Sequence, residues 1–121
     1  MKLNCTVRQA SSNLDAKHYD TERIRKEYLV EKVMAPDEIN MVYSMFDRII
    51  AGGAMPVKED LLLSAPEVLR ADFFTQRREI GIINVGGAGT VVVGEEEYHL
   101  EYKEALYVDG GILAYIGKQP E

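Results

Sequence analysis

One cysteine, two histidines and no tryptophan in 121 residues leave little material for several kinds of chemistry. Cys5 has no partner for an internal disulfide, so the fold cannot rest on a disulfide framework, and an inert thiol is its simplest reading. No apolar run approaches the ~20 residues of a membrane-spanning helix, and the opening MKLNCTVRQASS lacks the apolar stretch of a secretion signal. A cytoplasmic chain with no membrane partner is the expectation. Positive charge is also scarce. Fourteen Lys and Arg stand against twenty Asp and Glu, a net charge of −6, which argues against binding a nucleic-acid backbone.

What is present reads as one globular domain. Hydrophobic residues make up 46% of the chain and charged ones 28%, and a chain this long buries roughly two thirds of its unfolded surface. Residues 1–14 are polar and pattern-poor, which predicts an N-terminal arm ahead of a domain at 15–121. Asp20 or Thr21 can cap a short helix through TERIRKEY, with Ile24 and Tyr28 four apart on one face. YLVEKVM (28–34) alternates like a strand, and MVYSMFDRIIAGGAMP (41–56) reads as one or two strands broken at Gly52-Gly53 and stopped at Pro56. Ser64 and Glu67 have the spacing of a capping box. Strands then follow closely: EIGIINV, GTVVV, EYHLEY and EALYV, with GGAG, GEE and KE between them and DGG after the last. This spacing predicts an all-β fold, a β-sandwich or barrel with a short N-terminal helix.

The glycines of IINVGGAGTVVVG (82–94) pose a choice between phosphate binding and a turn. Gly87 and Gly89 fit the first pair of a dinucleotide fingerprint, but its third glycine falls on Val92. The β-branched run that follows belongs in a strand, which leaves no helix N-terminus for a pyrophosphate. No Lys-Ser or Lys-Thr follows either, so a P-loop is excluded. The glycines are expected to supply positive φ in a tight reversal between two strands.

A second template is the cupin barrel. Glu79, six residues and then Gly86 have the spacing that ends the first cupin motif, and ALYVDGG (105–111) can serve in the second, with Asp109 in the turn and Gly111 closing it. A working cupin metal site takes histidines before that glutamate and one beyond the second glycine. Residues 72–75 contain none, and the later position is Ala114. Imidazoles must converge to hold a metal such as zinc, and only His18 and His99 are available, so no metal, cofactor or catalytic residue is assigned to this chain. Glu79 follows Arg77-Arg78 and is expected to form an ion pair with them. Glu95, Glu96 and Glu97 read as a solvated turn rather than a calcium site. Ser44 and Ser64 have no histidine partner, and the seven tyrosines read as packing residues.

Two stretches carry a resemblance. EYLVEKVMAPDEINMVYSMFDRIIAGGAMP (27–56) and FFTQRREIGIINVGGAGTVVVGEEEYHLEYKEALYVDGG (73–111) resemble the 5-keto-4-deoxyuronate isomerase family, the 4-deoxy-L-threo-5-hexosulose-uronate ketol-isomerases. LVEKV, MVYS, DRIIAGGAMP, RREIGIINVGGAGT and ALYV are its most specific pieces. The resemblance implies a cupin-like fold and only the first half of a two-barrel protein. It further implies a zinc in the full-length family, held by three histidines and a glutamate of the other half. The implied reaction converts 5-dehydro-4-deoxy-D-glucuronate to 3-deoxy-D-glycero-2,5-hexodiulosonate in pectin and uronate catabolism, by moving a proton between adjacent carbons. This chain alone is expected to hold no zinc and to be inactive. Arg48, Arg77 and Arg78 are candidates, by charge, for the substrate carboxylate.

The tail ILAYIGKQPE (112–121) departs from the family pattern. Two other readings stand beside this one: a metal-free cupin module for binding or assembly, and a relative of 5-deoxyglucuronate isomerase. The family's tendency to oligomerise, together with the apolar segments GTVVV and ILAYI, predicts self-association, most simply as a homodimer.

Overall fold

The computed structural model describes residues 2–110 and the strand at 114–117. Its first layer is a three-stranded sheet in the order β1-β2-β3, formed by β1 (Lys2–Arg8), β2 (Glu38–Ser44) and β3 (Ile49–Ala54). β1 runs parallel to β2, which demands a long crossover, and residues 9–37 supply it with α1 (Asn13–Ala16) and α2 (Thr21–Tyr28). The expected helix is α2. The Asp20 carboxylate accepts the Arg23 N–H at 2.8 Å, and Arg23 pairs with Glu27 one turn on at 2.8 Å.

The expected polar arm 1–14 is a strand over residues 2–8. KLNCTVR alternates, so Leu3 and Cys5 reach the core while Asn4 donates to Asn40 at 2.7 Å on the other face. Asn4 and Asn40 are also register partners, so this half-buried amide pair helps to fix the pairing. Burial in β1 pushes the Cys5 thiol up from its ordinary value, which disfavours the thiolate.

β2 is covered on both sides. Ile39, Met41 and Tyr43 face the core, and Val42 and Ser44 face Tyr28 and Val30. YLVEKVM is therefore not a strand beyond its alternation: it crosses the back of the sheet without joining a ladder. A Cβ on Gly53 would lie 2.6 Å from the Val33 carbonyl, and one on Gly52 would lie 2.8 Å from the Met41 Cβ. The two glycines do not break the strand. They sit inside β3, where neighbouring groups approach too closely for any side chain. The reversal comes earlier, at Asp47 (φ 55°) and Arg48 (φ 51°), whose paired positive φ angles match the right-handed twist of a hairpin.

The second sheet has the order β4-β9-β6-β7, with β4 (Leu61–Leu62), β6 (Gly89–Val93), β7 (Glu96–Leu100) and β9 (Ala114–Gly117). β5 (Ile80–Ile83) and β8 (Ala105–Val108) form a separate antiparallel ribbon. Ile39, Met41, Leu61, Leu63 and Phe74 make one core cluster, and Val91, Val93, Leu100 and Val108 make another. Ile80 packs against both and joins them. The chain is thus mostly β with short N-terminal helices, in small open sheets.

Three further expectations are corrected. The Ser64–Glu67 capping box does not form: the 3-10 turn Glu67–Leu69 starts from Pro66 with no side-chain cap. GGAG does not turn one strand back on its neighbour, because β5 pairs with β8 while β6 pairs with β7 and β9. Of the glycines at 82–94 only Gly94 has positive φ (62°), in the two-residue β6–β7 turn. The tail at 112–121 and Gly111 lie outside the described residues, apart from the strand at 114–117.

Candidate functional site

The front of the first sheet, the β5–β8 ribbon and β6 enclose a half-open groove of about 1390 Å³. Its floor is apolar, with Met41, Phe74, Ile80 and Val91 among the lining residues. Arg48, Arg77 and Arg78, which the sequence offered by charge alone, all line it. Arg48 is placed by the β2–β3 turn. Arg77 donates to the carbonyl of Arg70, which stands at φ 47° after the 3-10 turn. Arg78 lies with its guanidinium carbon 5.2 Å from the centre of the Tyr43 ring, a cation–π distance. Among the described residues none of the three has a carboxylate partner. Asp47, Glu79 and Asp109 line the same groove, so it balances charge rather than concentrating one sign.

Glu79 does not pair with Arg77 or Arg78. Its carboxylate accepts the phenol proton of Tyr107 across the β5–β8 ribbon, and this bond pushes the Tyr107 pKa up to about 12. Strand pairing accounts for this bond: β5 lies against β8 with Ile80 opposite Val108 and Gly81 opposite Tyr107, which brings the phenol beside Glu79. Tyr107 stays a neutral phenol near neutral pH, and its proton is already committed.

Asn84 organises the glycine stretch. Its amide Nδ2 donates to the carbonyls of Gly87 (2.9 Å), Leu100 (2.9 Å) and Glu101 (3.2 Å), while Oδ1 accepts the Gly86 N–H at 3.0 Å. One side chain thereby ties the β5–β8 ribbon to the end of β7 and to the loop. Asp37, at φ 57°, does the same elsewhere: its Oδ1 accepts the N–H groups of Val57, Lys58 and Glu59. Those bonds hold its carboxyl below the usual range. Sequence reading passed over both residues. The available signals were an Asn two residues before a Gly-Gly pair and an Asp directly after a proline.

A zinc centre needs several nitrogen, sulfur or carboxylate donors converging on one point. His18 is exposed beyond α1, and His99 is exposed on β7 with Nε2 2.8 Å from Glu101. Among the described residues no three His, Cys, Asp or Glu are grouped so as to hold a metal ion. These donors do not fit a zinc site. Glu96 accepts from Tyr98, and Ser44 accepts the Phe46 N–H at 3.2 Å, so both serve local turns and pairs. No helix among the described residues is long and apolar enough to cross a membrane.

No protein-family model matches the chain. Individual relatives do. The 4-deoxy-L-threo-5-hexosulose-uronate ketol-isomerase of Bacteroides fragilis is 55% identical over 111 residues, 92% of this chain and 40% of the relative. The chain is a partial homologue of this ketol-isomerase family. Ketol-isomerase 1 of Bacteroides thetaiotaomicron is 54% identical over the same length, and the enzyme of Lachnoclostridium phytofermentans is 49% identical over 105 residues, 38% of that relative. The chain spans about two fifths of the length of these ketol-isomerases.

Proposed function

We propose that this chain is the N-terminal, cupin-like portion of a uronate ketol-isomerase. In this reading the domain expected at 15–121, extended by β1 at its N-terminal side, belongs to the first of two barrels, in a cytoplasmic and oligomeric enzyme of pectin and uronate catabolism. The assembled enzyme converts 5-dehydro-4-deoxy-D-glucuronate to 3-deoxy-D-glycero-2,5-hexodiulosonate. The observation that carries the reading is 55% identity over 92% of the chain to a relative named for that activity. Among the described residues the donors do not fit zinc, and in this reading the metal chemistry is carried by the part of the enzyme that the chain does not span. What these residues contribute is a scaffold: a folded β core, a groove wall, and arginines without a carboxylate partner among the described residues.

The test is a pair of assays on the deoxyuronate. The chain alone is expected to give no turnover and to retain no stoichiometric zinc after dialysis. A chimera in which it replaces the matched 111 residues of the B. fragilis enzyme is expected to turn over. Activity with one tightly held zinc in the isolated chain, or an inactive but folded chimera, refutes the proposal.

A further inference from the structure

The β5–β8 ribbon has only two strands, and among the described residues neither outer edge is paired. A two-stranded ribbon is marginal on its own, and free edges invite an added strand. Apolar side chains at its end are also left open: Ile83, the last residue of β5, is 68% exposed and Val85, just beyond it, 61%, and both line the groove. Exposure of this kind in one concavity marks a surface meant to be covered.

The groove's size narrows the choice of occupant. At about 1390 Å³ it exceeds the ~300–1,000 Å³ of small-molecule pockets, which favours polypeptide over a small acid. The ketol-isomerase relatives carry about three fifths of their length outside the match to this chain. Segment GTVVV is not the exposed patch that its composition suggested, since Val91 and Val93 are buried, and ILAYI falls outside the described side chains. The open apolar face is therefore that of Ile83 and Val85.

We propose that this groove docks the part of the ketol-isomerase polypeptide that the chain does not span, with Ile83 and Val85 buried against it and the β5–β8 ribbon extended by it. The inference rests on the function proposed above. It makes one position behave in two ways: Ile83 is a solvent-facing residue in the isolated chain and a core residue in the assembled enzyme.

Thermal unfolding of Ile83→Lys, Val85→Lys and the control Leu14→Lys tests this in both the isolated chain and the B. fragilis chimera. Leu14 lies on α1, exposed and away from the groove. All three substitutions are expected to move the Tm of the isolated chain by no more than about 2 °C, whereas the two groove variants lower the chimera's Tm by more than about 5 °C and the control does not. Should a lysine variant of the chimera fail to fold, Ile83→Thr is expected to lower the chimera's Tm while leaving the isolated chain unchanged. A chimera indifferent to the groove substitutions overturns the docking proposal, even if it is active. Light scattering that shows the isolated chain as a dimer dissolved by Ile83→Lys also overturns it, in favour of a second copy. A folded, inactive chimera that is nonetheless destabilised by Ile83→Lys sinks the function and leaves the docking intact.

Discussion

Replacing Asn84 by alanine removes a single half-buried amide that serves three parts of the chain at once. Its four contacts reach Gly86, Gly87, Leu100 and Glu101. The amide has two protons shared among three carbonyls, so three full hydrogen bonds are the most that can be counted. At ~0.5–1.5 kcal/mol net each, their sum is about 1.5–4.5 kcal/mol. The site is only half buried, and water can reach some of the freed groups, which places the cost near the lower end, at about 2 kcal/mol. The backbone bonds of residue 84, to Glu104 and from Lys103, survive the change and keep the β5–β8 ladder in register. With a urea m-value of about 2 kcal/mol/M, the midpoint should fall by about 1 M with no change in m. Asn84→Asp should cost at least as much, because a carboxylate would face the carbonyls of Gly87, Leu100 and Glu101. An Asn84→Ala midpoint within about 0.25 M of the parent, equivalent to ~0.5 kcal/mol, would show that the contacts are replaceable by water and refute the reasoning.

Gly53→Val should destabilise by about 2 kcal/mol or more, since its Cβ meets the Val33 backbone at 2.6 Å and overpacking of this kind has no flexible group to yield; an unchanged urea midpoint would mean that residues 29–34 move aside freely. Asp37 has its folded-state pKa held below the ordinary 3.8 by three backbone N–H groups, so its contribution is full above that unfolded value and is lost as the pH falls through the folded one. Asp37→Asn should therefore lower the Tm at pH 7 and flatten the parent's loss of Tm below pH 4; a parallel loss in both proteins would place the acid sensitivity elsewhere. Ultraviolet titration should find one of the seven tyrosines ionising near pH 12, and Glu79→Gln should return it toward 10. The shift is upward, so the stability it brings is complete below pH 10 and is lost as the pH rises through 12. A spectrum with all tyrosines titrating together would dispose of the Glu79–Tyr107 bond.

The parts legible in the sequence were those governed by neighbours along the chain. TERIRKEY is preceded by its cap, Asp20, and carries its own ion pair, so α2 begins where its local chemistry places it. GTVVV, ALYV and their turns are β-branched or aromatic runs between polar punctuation, and they became β6 and β8. The two histidines and the single cysteine bound how many nitrogen and sulfur donors the chain can offer, because donor number is a property of composition. The resemblance to ketol-isomerases was likewise carried by residue identity alone.

Tertiary structure decided everything that depends on which strand lies beside which. YLVEKVM and KLNCTVR both alternate, yet only the second became a strand, because β2 offered it an edge with Asn40 opposite Asn4 while the first was drawn across a sheet face. Gly52-Gly53 looked like a break, since the close approach of Val33 and Met41 is not written near them in the sequence. Glu79 sat next to two arginines and bonded a tyrosine 28 positions away, because β8 lies across from β5. Hydrogen bonding and packing act over a few ångströms, and only the folded chain determines which distant residues come within that range.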